Sequence, residues 1–255
     1  MKLRVLGCSG SIGGRQQRTT LFLVDDDILI DAGTGAGDLE IAELAKIDHV
    51  FLTHSHLDHI VCLPFILDTV GELRDKPLRV YATAETRRII EAHIFNWVIW
   101  PDFATIPSVD APFLQFQTIA LGETIELAGR RITVLPAEHT VPAVGYQLDS
   151  GTGSLVFTGD TTSNDALWDV VNRIANLRYL IIETAFANKD ALLAQLSRHL
   201  CPETLALELR KLERDAEVFV THLKPAQAAE TTQEIAQCRS RFSLQILQHD
   251  RLFEF

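Results

Sequence analysis

Short apolar runs divided by polar breaks recur along the whole chain, and their order predicts the elements. Leu3–Leu6, Thr20–Val24 and Ile28–Asp31 read as short strands, the last two joined through Asp25-Asp26-Asp27. Asp31-Ala32-Gly33-Thr34-Gly35 ends the third with a glycine turn, and Asp38–Lys46 reads as a short amphipathic helix. His49–Thr53 and Leu78–Ala82 are further strands, and Ala84–Trp97 sets Ile89, Ile90, His93, Ile94 and Trp97 at helical spacing. A second strand series, Arg131–Pro136, Val144–Leu148 and Leu155–Thr158, is broken at Ser150-Gly151-Thr152-Gly153. Helices over Leu167–Ile174, Pro202–Leu212 and Gln227–Gln237 then alternate with strands over Tyr179–Glu183, Val218–Thr221 and Leu244–Leu247. Proline at the first turn suits the helix that starts at Pro202. Periodicity alone gives a mixed α/β chain.

Composition makes this one soluble domain over residues 1–255, since 255 residues at 47% hydrophobic can bury a large core. No apolar run approaches the ~20 residues that a membrane span needs. The sequence before Cys8 holds too little apolar length for a signal peptide, so a first strand and glycine turn are expected there. Cys8, Cys62, Cys201 and Cys238 form no Cys-x-x-Cys pair, which fits free thiols in a reducing cytoplasm. The net charge of −11, with Lys and Arg scattered, disfavours a partner gripped through a long row of phosphates.

The candidate chemistry is concentrated in His54-Ser55-His56-Leu57-Asp58-His59, three imidazoles and a carboxylate in six residues. Neutral imidazole nitrogens and carboxylate oxygens hold zinc and related divalent ions. After a buried strand the cluster falls on a loop at its carboxyl end, where open α/β sheets place ligands. Four later apolar runs end in His139, Asp160, Glu183 and His222. Each alone reads as a cap, a turn former or a satisfied core residue. Together with the cluster they indicate a metal site. His49, His93 and His249 read as surface or core histidines, and Asp31 as a supporting or turn-forming carboxylate.

His54-x-His56-x-Asp58-His59, His139, Phe157-Thr158-Gly159-Asp160 and Thr221-His222 resemble the metallo-β-lactamase superfamily, in the branch that lacks a metal-ligating cysteine. Ser197-Arg198-His199-Leu200, Thr221-His222-Leu223-Lys224-Pro225, Trp100-Pro101-Asp102-Phe103 and Ile182-Glu183-Thr184-Ala185-Phe186 resemble the class II 3′,5′-cyclic nucleotide phosphodiesterases. The likeness runs over nearly the whole chain and departs at Cys62, where that class carries glycine or serine.

This resemblance implies a four-layer αβ/βα sandwich with two divalent ions at its open edge. It implies that His54, His56 and His139 hold one ion, that Asp58, His59 and His222 hold the other, and that Asp160 bridges them. Zinc is favoured on ligand type, with manganese or iron also suited. Two ions about 3.5 Å apart can clamp an in-line phosphoryl displacement. The implied catalytic residues are Asp58, His199 as proton donor and Glu183 orienting it. The implied substrate contacts are Lys224, with Trp100 or Phe103 stacking on a purine. Against that last role stands a reading of residues 95–103 as core or as a homodimer interface. The activity so implied is hydrolysis of a small phosphodiester, 3′,5′-cAMP or cGMP, to the 5′-monophosphate. The alternatives are a ribonuclease Z-like endonuclease, another hydrolase on the same scaffold, or a non-catalytic metal-binding domain. Ribonuclease Z shares the ligand pattern but carries a glycine- and proline-containing arm for tRNA that finds no counterpart here. Diiron relatives that handle oxygen replace the second histidine of the cluster with an acid, whereas His56 stands here.

Overall fold

A computed structural model describes residues 1–14 and 16–255. The chain opens with β1 (Lys2–Gly7), β2 (Leu21–Val24) and β3 (Ile28–Ile30), followed by α1 (Ile41–Leu44) and β4 (His49–Phe51). Next come α2 (Leu57–Ile60), α3 (Leu63–Val70), β5 (Leu78–Ala82) and α4 (Ala84–His93). A small hairpin of β6 (Pro107–Ser108) and β7 (Ala111–Pro112) precedes β8 (Leu114–Thr118). The second half runs β9 (Thr124–Leu127), β10 (Arg130–Pro136), β11 (Val144–Asp149), β12 (Ser154–Phe157), α5 (Asp165–Val171) and β13 (Leu177–Glu183). It continues with α6 (Ala191–Leu196), α7 (Pro202–Leu209), β14 (Glu217–Thr221), α8 (Ala228–Ala236) and β15 (Leu244–Ile246), and β16 (Leu252–Glu254) returns to the first half.

Two seven-stranded sheets result, ordered β16-β1-β2-β3-β4-β5-β8 and β15-β14-β13-β12-β11-β10-β9. In the first, β1, β2 and β3 pair antiparallel, and β3, β4, β5 and β8 pair parallel. In the second, β9 to β12 pair antiparallel, and β12 to β15 pair parallel.

Side-chain alternation explains the layers. Phe22, Ile28, Ile30, Phe157, Ile181 and Phe219 point into one core between the sheets. Their neighbours Leu23, Leu29 and Val50 point outward beneath Leu44, Ile66, Leu67 and Ile90 of the first helical layer. Val156, Leu180, Ile182 and Val218 do the same beneath Leu167, Trp168, Leu205 and Ile235 of the second. Strands covered on both faces must be apolar at nearly every position, which is why they appear as runs rather than alternations. The arrangement is a helix–sheet–sheet–helix sandwich. Among the described residues no helix is long and apolar enough to cross a membrane.

Several boundaries differ from expectation. The helix expected to reach Trp97 ends at His93, because the Asn96 side chain accepts hydrogen bonds from the Val98 and Ile99 amides and Trp97 turns left-handed at φ 63°. The Asp38–Lys46 helix shrinks to α1, preceded by a 3-10 turn over Thr34–Asp38, and the Pro202 helix stops at Leu209. Helices α2, α3 and α6 and strands β8, β9 and β16 were not expected. Helix α2 lies inside the histidine cluster, and β8 and β9 are half-exposed edge strands that alternate apolar with polar residues and so form no apolar run.

Candidate metal centre

The carboxyl ends of β3, β4, β12, β13 and β14 and the loop after β10 converge at one edge of the sandwich. There His54, His56 and His139 bring one ligand atom each to within 4.8 Å of one another. Asp58, His59, Asp160 and His222 do the same, and so do His139, Asp160 and His199. Asp160 Oδ2 lies 3.3 Å from His59 Nε2 and 3.8 Å from His54 Nε2, and its Oδ1 lies 3.3 Å from His222 Nδ1. It therefore touches both sets. Asp58 Oδ2 stands 3.8 Å from His222 Nε2 and 3.9 Å from His59 Nε2. His56 Nδ1 is 3.2 Å from His139 Nε2.

Buried hydrogen bonds orient the rings. Asp31, fully buried, accepts from the Thr53 amide at 2.8 Å and the Thr53 hydroxyl at 2.9 Å, and pairs with His59 Nδ1 at 2.7 Å. The threonine has one proton and gives it to the acceptor-only carboxylate, so at 3.0 Å it must accept from His54 Nδ1–H. Both rings thereby turn Nε2 into the site. His139 Nδ1–H donates to the Arg198 carbonyl at 3.1 Å, which aims its Nε2 inward as well. Fixing the remote nitrogen in this way sets tautomer and direction together.

The backbone is bent to suit. His222 takes φ 67°, Asp31 φ 60° and Arg198 φ 52°, left-handed values that non-glycine residues adopt at a cost. Gly159, at φ 64° before Asp160, meets the same need with the residue suited to it. Gly10 lets the β1–β2 loop pass under His222, where a Cβ would sit 2.4 Å from the His222 carbonyl oxygen.

The donor set fits a divalent metal. His54 Nε2, His59 Nε2, Asp160 Oδ1 and both His222 nitrogens are buried without a hydrogen-bond partner among the described residues. Orphaned buried polar atoms are costly, and several gathered around one space call for partners there. Burial lowers the pKa of His54 far below its ordinary value, of His139 to about 4 and of His222 to about 3, leaving lone pairs for a metal. Burial opposes the charged form of His59 too, yet Asp160 and Asp31 outweigh it and raise its pKa well above normal. Asp160 itself is held well below the ordinary carboxylate range, since His222 and His59 overcome its desolvation.

Beside the ligands lies a second carboxylate–imidazole pair. Glu183 Oε1 is 2.8 Å from His199 Nδ1 and also accepts from the Thr161 amide at 3.1 Å. His199 stacks 5.2 Å from the His222 ring. Burial disfavours the imidazolium, but the Glu183 carboxylate raises its pKa above the ordinary value. Lys224 turns its ammonium onto the Gly10 carbonyl at 2.6 Å, and its charge disfavours protonation of His199 and His222.

One expected contact is corrected. Phe103 is 5% exposed and packs in the outer core of the first sheet, 6.1 Å from Phe95 and 6.2 Å from Phe113. Trp100 lies edge-on to Phe65 at 5.2 Å in the same helical layer. Phe103 is buried among these rings, which leaves neither of its faces for a purine, whereas Trp100 is half-buried. The sequence reading passed over Thr53. Its position between an apolar strand and the first histidine was the one available signal.

Residues 26–242 match the family described as "Beta-lactamase superfamily domain". A probable 3′,5′-cyclic-nucleotide phosphodiesterase of Yersinia pestis is 27% identical over 205 residues, covering 71% of this chain and 58% of that protein. Ribonuclease Z of Methanopyrus kandleri is 25% identical over 155 residues, covering 58% of this chain and 50% of its own. The matched stretches thus span about half the length of these relatives. Unliganded yeast PDE1 superposes with a TM-score of 0.79 at 18% identity, covering 98% of each chain, a likeness of fold.

Proposed function

The chain belongs to the β-lactamase superfamily, a family of metallo-β-lactamase-fold hydrolases, and on that premise we propose that it hydrolyses the phosphodiester of 3′,5′-cyclic nucleotides at a dinuclear metal centre. The observation that supports this best is Asp160 set between two ligand groups, with the His199–Glu183 pair beside them. His54, His56 and His139 would hold one ion, Asp58, His59 and His222 the other, and Asp160 both. When bound, such ions supply Lewis acidity and lower the pKa of water at the phosphoryl centre. Zinc suits the nitrogen-rich ligand set, with manganese or iron as the alternatives.

The chain's own task is to place a proton. Glu183 takes His199 Nδ1–H and stabilises the imidazolium, so Nε2–H is left to donate to the departing 3′ oxygen. That oxygen is a poor leaving group as an alkoxide, and a positioned acid contributes about 10²–10⁴-fold. Asp58, on the exposed side of its group, faces the attacking side of the phosphorus. Lys224 offers positive charge near the phosphoryl oxygens. The acidic surface favours a small substrate over a polynucleotide. The match to a cyclic-nucleotide phosphodiesterase over 71% of the chain favours this class.

The ribonuclease Z match supports a second reading, cleavage of pre-tRNA on its 3′ side. One panel separates the two: metal-loaded protein with 3′,5′-cAMP, 3′,5′-cGMP, bis(p-nitrophenyl) phosphate and a pre-tRNA. The proposal expects 5′-AMP or 5′-GMP to accumulate. Intact cyclic nucleotides beside cut pre-tRNA would replace it with the second reading.

A further inference from the structure

The centre continues into a cleft of about 850 Å³ that the ligand groups do not fill. Its walls come from four separate segments: Thr83 and Ala84 at the start of α4, Ile119 and Leu121 between β8 and β9, Val141 and Pro142 between β10 and β11, and Arg198 after α6. His139 lies in this wall and in the metal centre, so the two spaces are continuous. The volume falls in the range of small-molecule sites.

The wall chemistry discriminates between occupants. Among the described residues the wall holds no lysine, and Arg198 is its one cation. That guanidinium is already engaged, donating to the His139 carbonyl at 2.9 Å and pairing with Glu138 at 3.4 Å. Glu85 adds a second carboxylate. A neighbouring phosphate of a polynucleotide would meet two acids and a committed arginine there. A flat uncharged ring would meet aliphatic surface and threonine hydroxyls instead. Leu121 stands 62% exposed on the rim, just before Gly122, whose amide is tied to the Val134 carbonyl at 2.9 Å. The apolar rim is thus held in place before any ligand arrives.

We propose that this cleft receives the nucleobase of the cyclic nucleotide, the non-reacting part of the substrate. The inference rests on the phosphodiesterase reading above and gives that site its specificity determinant. Leu121, Val141 and Pro142 supply the apolar walls that the buried Phe103 does not.

The test compares 3′,5′-cAMP with the base-free ribose 3′,5′-cyclic phosphate, using metal-loaded full chain. Leu121→Asp and, as an independent rim change, Pro142→Glu place a charge where the ring would lie. Expected is a wild-type preference for cAMP in kcat/KM that drops about tenfold in each variant, through KM for cAMP, as for a lost apolar pocket contact. Metal content, read separately, should stay at the wild-type level. A preference unchanged in both variants would overturn the subsite while leaving the phosphodiesterase reading intact. Wild type inert toward both cyclic phosphates would overturn that reading and the subsite with it.

Discussion

The two halves of the molecule share one strand plan and deliver their candidate metal ligands in opposite ways. In each sheet an antiparallel series leads into parallel strands. The first half crowds His54, His56, Asp58 and His59 into the loop and short helix after β4. The second spends one strand end or loop on each ligand: His139 after β10, Asp160 after β12 and His222 after β14. A loop bearing four ligands has no ladder to hold it, and Asp31 and Thr53 form a buried brace beneath it. A ligand at a strand end inherits its position from the ladder and needs only a turn, as at Gly159 and His222. Each half also buries one carboxylate–imidazole pair, Asp31–His59 at 2.7 Å and Glu183–His199 at 2.8 Å. The first holds a ligand ring. The second holds a ring beside the ligands.

The heaviest blow to this division is Asp160→Ala, because Asp160 belongs to two ligand groups at once. Elemental analysis after gel filtration should find two ions per chain in the wild type and nearly none in the variant, with activity lost alongside. A variant that kept both ions would show that the halves bind independently.

The two buried pairs should then separate by readout. His199→Ala is expected to keep both ions and lose about 10²–10⁴-fold in turnover on 3′,5′-cAMP. It should lose much less on bis(p-nitrophenyl) phosphate, whose nitrophenolate leaves without a proton. Loss of metal from His199→Ala would move His199 among the ligands, where its closeness to His139 and Asp160 would permit it. Asp31→Asn should show the reverse pattern. Metal affinity falls roughly 10–100-fold as His59 loses its orienting carboxylate, and turnover at saturating metal falls less. If the two variants gave the same pattern, the distinction between a ligand pair and a proton-donor pair would collapse.

The same contrast decides what the sequence could reveal. Candidate ligands of the second half stand out because each ends an apolar run, and the structure places a strand in each of those runs. Those of the first half were legible as composition, from the density of histidine. Their supports were less so. Thr53 reads only as the last residue of an apolar strand, and Asp31 reads as either a supporting or a turn-forming carboxylate until the chain between them folds back to set it on the Thr53 amide. Residues 95–103 stayed open between core and substrate contact for a related reason. Aromatic side chains look alike in sequence whether they face a substrate or a helix, and only the burial of Phe103 against Phe95 and Phe113 separates the cases.

The smallest expected effect probes what joins the halves. Tyr146, fully buried on β11 of the second sheet, donates its hydroxyl to the Leu52 carbonyl at 2.6 Å, and the Val144 amide donates to the Thr53 carbonyl at 3.0 Å. Two bonds from one half thus hold the chain where the ligand loop of the other begins. Burial pushes the Tyr146 phenol well above its ordinary pKa, so it remains a donor across the working pH range. Tyr146→Phe keeps the ring against Phe51 and removes only that bond. A buried carbonyl left short of a donor costs about 1–3 kcal/mol, which urea unfolding of the metal-free protein should register. Because the freed carbonyl lies two residues before His54, metal affinity should also fall by a few-fold, on the order of the stability loss that reaches the loop. A stability loss with affinity untouched would make Tyr146 a fastening of the inner core alone. No change in either would leave the Val144–Thr53 bond and the apolar packing between the sheets to hold the start of that loop.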